Sequence, residues 1–463
     1  MITQGKLFID PGILQRVGQS GPRYTSYPTA DRFVEAFDEC AYRASLGKRG
    51  IGGMARPLSL YVHVPFCDTV CFYCACNKVA TRDHSRSAVY LHYLAREADL
   101  VSEALAGDRR VTQLHWGGGT PTFLRPAELR ELMDILASRF HLDSGGEHCV
   151  EIDPRSVAPG TLTLLAELGM NRISIGVQDF DEAVQKAVNR IQSEAVTRAA
   201  VEEARAAGFR SVNFDLIYGL PIQNVVGFNR TLSRVVDLAP DRIALYSYAH
   251  LPHAFKPQRR INEADLPDAD AKIRMLTLAI RRLEQAGYVY IGMDHFARPD
   301  DELSVAQRQG RLHRNFQGYS THSECDLIAL GVTAIGRVGP TYMQNARTLD
   351  EYYDRLDRGI LPVVRGIELN ADDLLRNSVI QSLMCHSAVS IEAIEIAHLI
   401  DFRTYFREEL EDLRPFVEDG LLEIDDDWLS LRPKGRLLVR AVCMVFDRYL
   451  RTQQRHATYS RVI

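Results

Sequence analysis

At 463 residues the chain is too long for one ordinary hydrophobic core, so two domains, or one large barrel with an appended module, are expected. Its 46% apolar and 25% charged residues are those of a soluble globular protein, and a net charge of −5 gives the surface no electrostatic reason to attract nucleic acid. The opening Met1 to Asp10 lacks the apolar core of a signal peptide, and apolar stretches such as Leu327 to Ile335 fall far short of a membrane span. A cytoplasmic protein without a membrane span is the expectation.

In chain order, Gly21-Pro-Arg-Tyr-Thr-Ser-Tyr-Pro-Thr29 is too rich in Pro, Ser and Thr for a regular element and reads as an ordered arm. From residue 58 a rhythm begins of short β-rich runs, Gly- or Pro-containing loops and helical patterns. The strand candidates are Leu58 to Val64, Gln113 to Trp116, Cys149 to Ile152, Arg172 to Val177, Ser211 to Ile217, Arg242 to Tyr248, Tyr288 to Met293 and Leu327 to Ala334. Helical patterns lie between them: Ala127 to Phe140, Leu162 to Leu168, Ala195 to Ala207 and Ala269 to Ala286, the last three each followed by a glycine suited to a C-cap. Alternating strands and helices imply a parallel sheet, here an α/β fold of the partial or closed β/α barrel type.

Near residue 366 the rhythm stops. Ala371 to Met384, Ile391 to Ile400 and Tyr405 to Leu413 are helical in pattern, Leu421 to Leu431 reads as a hairpin, and Lys434 to Tyr449 as a final helix. The expected division is an N-terminal arm over 1–54, a barrel domain over 55–365 and a small, mainly helical, winged-helix-like domain over 366–463. Asp425, Asp426 and Asp427 at the hairpin tip would repel phosphates, so a packing role is preferred to nucleic-acid binding.

Four of the nine cysteines, Cys67, Cys71, Cys74 and Cys76, stand within ten residues, the first three spaced C-x3-C-x2-C. One loop can thus offer three thiolates to one inorganic centre, and the spacing favours an iron–sulfur cluster over a structural zinc, which usually takes two separated Cys pairs. Whether Cys76 or a substrate closes the remaining metal vertex stays open. The scattered Cys40, Cys149, Cys325, Cys385 and Cys443 read as small buried hydrophobes.

Polar motifs follow the strands. Gly117-Gly-Gly-Thr-Pro121 is a loop whose backbone can approach a ligand closely. Glu151, Asp153, Gln178 and Asp215 close later strands, and strand carboxyl ends carry the active site of a β/α barrel. Glu151 and Asp215 could accept from ribose hydroxyls, Gln178 offers an amide, and Arg190 suits a carboxylate. This is the inventory for holding a nucleoside linked to an amino acid.

The cysteine triplet followed by Gly117-Gly-Gly-Thr-Pro resembles the radical S-adenosylmethionine enzymes. Within them the chain resembles the oxygen-independent coproporphyrinogen III oxidases (coproporphyrinogen dehydrogenases) nearly end to end. The likeness rests on Arg23-Tyr-Thr-Ser-Tyr-Pro-Thr29, Cys74-x-Cys76-Asn-Lys78, His115-Trp-Gly-Gly-Gly-Thr-Pro-Thr122, Gly176-Val-Gln-Asp-Phe180 and Asp215-Leu-Ile-Tyr-Gly-Leu-Pro221. It extends through Gly292-Met-Asp-His-Phe-Ala-Arg-Pro-Asp-Asp301, His313-Arg-Asn-Phe-Gln-Gly-Tyr319 and the terminal Ser460-Arg-Val-Ile463.

The resemblance implies oxidative decarboxylation of two propionates of coproporphyrinogen III to vinyl groups, giving protoporphyrinogen IX in haem synthesis. It implies one [4Fe-4S] cluster on Cys67, Cys71 and Cys74, with Cys76 not a ligand, and two S-adenosylmethionine molecules. Tyr61, Gly118, Glu151 and Ile335 match positions around the first of these; Tyr73, Gly119, Thr120, Gln178, Arg190, Asp215 and Ala249 match positions around the second. Tyr61 and Gln317 are expected nearest the reacting groups. Arg23, Arg32 and Arg314 are candidates for holding the substrate carboxylates, and Tyr24 or Tyr27 is expected over the barrel mouth. A low-potential electron donor such as a flavodoxin or ferredoxin, and a monomeric state, complete the expectations. The alternative is a haem-binding chaperone related to this family; such relatives generally lack the Cys74-x-Cys76 step and the Tyr-Thr-Ser-Tyr-Pro arm, both present here.

Overall fold

Leu58-Ser-Leu-Tyr-Val-His-Val64 is almost continuously buried, as a strand covered on both faces must be, and it forms β1 near the middle of the molecule's main sheet. The computed structural model describes residues 12–13, 20–49, 56–451 and 459; Met1 to Asp10 and Ser460 to Ile463 lie outside the described residues. The other strands of this twelve-stranded sheet are β2 (Arg110–Gly118), β3 (His141–Ile152), β4 (Arg172–Gln178), β5 (Ser211–Tyr218), β6 (Arg242–Ser247), β7 (Val289–Gly292), β8 (His295–Ala297), β9 (Asp326–Leu330), β10 (Ile335–Val338), β11 (Thr341–Asn345) and β12 (Val363–Glu368).

Their spatial order is β12-β11-β10-β9-β1-β2-β3-β4-β5-β6-β8-β7. Strands β9 and β1 to β6 run parallel to their neighbours, and antiparallel strands extend both edges. The sheet is therefore an open, partial barrel: β12 and β7 end the hydrogen-bonded order without pairing to each other.

All eight expected strands are present, with shifted ends. The eighth stops at Leu330 because Gly331 takes φ +102 and turns the chain. Strands β8, β10, β11 and β12, and the helices Ser85–Ala104 and Val225–Leu238, were not among the expected elements. The edge strands are short, and Gly336 and Gly366 interrupt their apolar pattern.

The C-terminal helix Ala371–His386 runs as expected, and Leu422–Ile424 pairs with Trp428–Leu431 as the hairpin, joined by Ala388–Ser390. The final helix does not run unbroken from Lys434 to Tyr449. It divides into a 3-10 turn at Gly435–Leu438 and helices Val439–Val445 and Arg448–Arg451. At the second break Asp447 is turned inward to accept a hydrogen bond from the Tyr24 hydroxyl at 3.1 Å. At the hairpin tip, Asp425 Oδ1 accepts from the Asp427 and Trp428 amides, so one acidic side chain builds the turn it occupies.

The arm also departs from expectation. Tyr24 and Tyr27 are buried in an apolar core shared with Leu383, Cys443 and Phe446 of the C-terminal helices, not laid over the sheet's carboxyl end. Asn377 Nδ2 donates to the Tyr27 carbonyl at 2.7 Å, and the Arg448 amide donates to the Tyr27 hydroxyl at 3.3 Å. That core includes Ile291 and Ala297 from β7 and β8, so arm, sheet edge and C-terminal helices pack as one body. Among the scattered cysteines only Cys385 and Cys443 are fully buried; Cys40 is exposed, and Cys149 and Cys325 are intermediate.

Candidate functional site

The thiolate loop leaves β1 at Pro65. Phe66–Cys67 pairs in parallel with Val79–Ala80, closing the segment between them into a loop at the carboxyl end of the sheet. Phe72 N donates to the Val188 carbonyl, and Asn189 Nδ2 to the Val70 carbonyl, both within 2.9 Å, pinning the loop to the segment beyond β4.

Cys71 is the most enclosed of the loop cysteines. Its sulfur lies 3.5 Å from Arg155 Nη2 and 3.6 Å from Arg190 Nη1, and both guanidinium groups share the Asp153 carboxylate, at 2.6 and 2.9 Å. Arg190 also donates to the Gly176 carbonyl at 2.6 Å, and the Gln178 amide lies against the same glycine. A hydrogen bond from Cys76, helped by Lys78, pulls Cys74 down to about 5, while burial pushes Cys67 up to about 12. Cys76 is thus a partner of Cys74.

A single zinc with bonds of about 2.3 Å holds thiolates about 3.8 Å apart. Among the described residues, the one His/Cys/Asp/Glu trio with all ligand atoms within 4.8 Å of one another lies elsewhere, so the three loop sulfurs stand wider than one ion requires. Three soft donors set apart around an electropositive pocket fit a polynuclear iron–sulfur centre.

The glycine loop after β2 lies beside them. Gly119 N donates to the Val64 carbonyl and Thr120 N to the Phe66 carbonyl, both at 2.8 Å. A Cβ on Gly119 would stand 2.5 Å from the Phe66 carbonyl oxygen, so only glycine lets the loop pass here. Gly118, at φ +114, donates its amide to Glu151 Oε2 at 3.2 Å. Glu151 Oε1 lies 2.9 Å from His115 Nε2; burial works against its charge, but His115 and the Gly118 amide hold it below the usual carboxylate range. Thr120 Oγ1 accepts from the Asp153 amide at 3.0 Å, linking the glycine loop to the Arg190 cluster.

Tyr61 faces this group from β1. Its ring packs 5.8 Å from His115, and its hydroxyl lies 3.1 Å from His63 Nδ1. Asp215, in the middle of β5, accepts from Ser174 and Asn213, both at 3.0 Å; burial, then the Glu151 charge, raises it to about 6. Tyr73 packs with Tyr248, Val188 and Leu220. Gln258 Nε2 donates to the Tyr73 carbonyl at 3.0 Å and the Ala249 carbonyl at 3.2 Å, tying these two positions together. Ile335 packs with Phe33 and Tyr342.

Between these strands lies a cavity lined by Glu151, Asp215, Tyr246, His295, Gln317 and Tyr319. Both atoms of the Gln317 amide are buried there without a hydrogen-bond partner among the described residues, as is His295 Nδ1. Arg314 lies over the Tyr319 ring at 4.8 Å with its Nε and Nη1 buried and unpartnered, and Arg23 lies over Tyr246 at 5.5 Å while pairing with Asp294. Burial, then Arg314 and Arg23, holds His295 well below its ordinary range, leaving a neutral imidazole. Arg32 is elsewhere: it pairs with Asp31 and lies over Tyr449, so it is not part of this group.

The sequence reading thus brought together Tyr61, Gly118, Gly119, Thr120, Glu151, Gln178, Arg190, Asp215 and the cysteines, but gave no role to His63, Arg155, Gln258 or His295. Inward alternation along β1 places His63 on the face of Tyr61, a signal that counting by twos could have found. Arg155 and Gln258 lie in irregular segments and carry no periodic signal.

The radical SAM superfamily matches over residues 61–235, and the HemN C-terminal domain over residues 369–438. The chain is 51% identical to the oxygen-independent coproporphyrinogen III oxidase of Pseudomonas aeruginosa, covering 98% of both chains, and 46% identical to that of Escherichia coli, again covering 98% of both. The solved structure of the Escherichia coli coproporphyrinogen III oxidase, described as a radical SAM enzyme, superposes with a TM-score of 0.92 at 45% identity, covering 96% of this chain and all of that one. Membership of the superfamily carries a [4Fe-4S] cluster and S-adenosylmethionine with it, in agreement with the three wide-set thiols and the polar strand ends. The chain belongs to the oxygen-independent coproporphyrinogen III oxidases of the radical S-adenosylmethionine superfamily.

Proposed function

We propose that this protein oxidatively decarboxylates two propionate side chains of coproporphyrinogen III to vinyl groups, giving protoporphyrinogen IX. Cys67, Cys71 and Cys74 hold the [4Fe-4S] cluster. Tyr61, Gly118, Glu151 and Ile335 receive one S-adenosylmethionine, and Tyr73, Gly119, Thr120, Gln178, Arg190, Asp215 and Ala249 receive a second. When bound, cluster and S-adenosylmethionine together supply the one-electron chemistry that removes a hydrogen atom from the propionate arm; loss of CO2 and one further electron leaves the vinyl group.

The observation that carries this reading is the cavity beneath Glu151 and Asp215, where the Gln317 amide is buried with neither atom paired. A buried unpaired amide costs about 1–3 kcal/mol, and a polar ligand group is what relieves it. Arg23 and Arg314 lie over Tyr246 and Tyr319, two rings that line the cavity, and so bring positive charge near it for carboxylates, offsetting the protein's net charge of −5. Gly117, Gly118 and Gly119 let the backbone approach a bound nucleoside, and the partnered Glu151 carboxylate is ready to accept from hydroxyls. Tyr73 and Tyr248, packed over the thiolate loop, keep water from that side. We also assign a low-potential flavodoxin or ferredoxin as electron donor, a monomeric state and a cytoplasmic location. Among the described residues no helix is long and apolar enough to cross a membrane.

The test is an anaerobic assay of the reconstituted protein with coproporphyrinogen III, S-adenosylmethionine and a reduced donor. Two CO2 per porphyrinogen are expected, with Cys71→Ala inactive. Stoichiometric haem uptake without CO2 release would instead support the haem-chaperone reading, which the family assignment does not favour. Equilibrium dialysis is expected to give two S-adenosylmethionine molecules per cluster, and one would overturn the second site.

A further inference from the structure

The trio of ligand atoms that does approach within 4.8 Å lies at the far end of the sheet. His322, Glu324 and Cys325 occupy the loop between the short strand Gly318–Ser320 and β9. In the sheet register Asp326 stands opposite Leu58, the first residue of β1, so this loop lies at the strands' amino ends, away from the cysteines that follow β1.

The spacing is that of a mononuclear site. His322 Nδ1 is 3.7 Å from Glu324 Oε1, and Cys325 Sγ is 3.9 Å from the same oxygen. A tetrahedral ion with bonds of about 2.0–2.3 Å sets its ligands about 3.3–3.8 Å apart; the two pairs that share Glu324 Oε1 are close to that spacing, and all three atoms lie within 4.8 Å of one another. The donors are one imidazole, one carboxylate and one thiol, a mixed set suited to borderline ions and poor for magnesium or calcium.

Surrounding side chains already hold the donors in place. Thr112 Oγ1 lies 3.3 Å from the Cys325 sulfur. The His322 amide donates to Ser320 Oγ at 3.1 Å, and that oxygen accepts from Gln113 Nε2 at 3.2 Å. Outer partners of this kind orient metal ligands. A cavity on the Cys325 side, bordered also by Arg56, His313 and Arg337, leaves room for a water. The arginines do not oppose a divalent ion here, because thiolate and carboxylate together neutralise it.

We propose that His322, Glu324 and Cys325 bind one zinc-type divalent ion, with a fourth position open to water on the cavity side. The site is separate from the cluster and adds to the proposed function. The ion would brace the loop that follows the hairpin carrying Gln317 and Tyr319.

Cluster-loaded protein, kept anaerobic and equilibrated with zinc, tests this by X-ray absorption at the zinc edge, which is blind to the iron. One zinc per chain is expected, with one sulfur at about 2.3 Å and nitrogen or oxygen neighbours at about 2.0 Å. Cys325→Ser should remove the sulfur neighbour and weaken binding at least a hundredfold, beyond the roughly 10–100-fold lost with an outer partner. Thr112→Val, which leaves all three ligands, should weaken it about tenfold while keeping the sulfur. Failure to bind zinc, unchanged binding in both Cys325→Ser and His322→Ala, or a shell of several sulfurs drawn from the cluster loop would each overturn the proposal.

Discussion

At Cys71 two guanidinium groups converge on one sulfur, and Asp153 holds both in place. A hydrogen-bonded cation stabilises a cluster more as its negative charge grows, so with Cys71 in its proposed role as ligand Arg155 would favour the reduced state. Replacing Arg155 with Gln keeps a donor but removes the charge. The cluster's potential should fall by on the order of 50 mV, roughly a tenfold shift of a one-electron equilibrium. An anaerobic potentiometric titration followed by electron resonance reads this directly; an unmoved midpoint would show that Arg155 serves only Asp153. Gly119 is a second sensitive point. Gly119→Ala drives its Cβ onto the Phe66 carbonyl, and S-adenosylmethionine affinity should drop at least tenfold in equilibrium dialysis.

At the scale of elements, the turn after β9 is held by a buried carboxylate that makes no contact with the cleft. Glu97, on the helix Ser85–Ala104, accepts from the Gly331 amide at 2.7 Å, the Tyr352 hydroxyl at 2.6 Å and Asn345 Nδ2 at 2.5 Å. The neighbouring Tyr90 hydroxyl donates to the His63 carbonyl at 2.6 Å, so the same helix braces β1 and the turn leading to Ile335. Burial raises Glu97 to about 7 against an ordinary value of 4.5. The folded state therefore keeps a proton that the unfolded chain has lost, and stability falls as pH rises from about 4.5 through about 7, flattening above. A shift of that size corresponds to on the order of 3 kcal/mol. Urea midpoints of the protein across pH 5–8 should show that decline, and Glu97→Gln should remove much of it while lowering the midpoint at pH 5.

For the whole molecule, the arm is a structural tie. Tyr24 and Tyr27 fill the C-terminal core, and Arg23, just before them, lies over Tyr246, whose ring lines the cleft. Tyr27→Ala should cost about 3–5 kcal/mol by cavity formation, seen as a lower thermal midpoint, whereas Arg23→Gln should leave that midpoint nearly unchanged and raise the KM for porphyrinogen. The main core runs along the sheet and includes none of the cluster cysteines. Removing the cluster with an iron chelator should therefore abolish CO2 release while leaving the far-ultraviolet circular dichroism intact.

Local pattern carried a large share of this architecture. The β-rich runs from Leu58 to Leu330 stood out because buried parallel strands are continuous apolar segments, whereas β10 and β12 are interrupted by glycine and β11 mixes polar with apolar residues, which weakens their signals. The thiolate triplet, the glycine loop and the strand-end positions Glu151 and Gln178 were legible as well, since spacing along the chain and position at a strand end survive folding unchanged, whereas Asp215 lies in the middle of its strand. What the sequence by itself determined was the order of elements, the face on which the polar motifs gather and the thiolate chemistry they serve. Tertiary packing alone decided that the sheet stays open, that the Cys76 thiol hydrogen-bonds Cys74, that Arg23 and Arg314 lie over rings lining the cavity while Arg32 lies over Tyr449, and that the arm's tyrosines are core residues. Periodicity encodes which face of its own element a side chain takes, but its neighbours across the fold depend on contacts hundreds of residues apart, such as Tyr24 with Asp447, which leave no local trace.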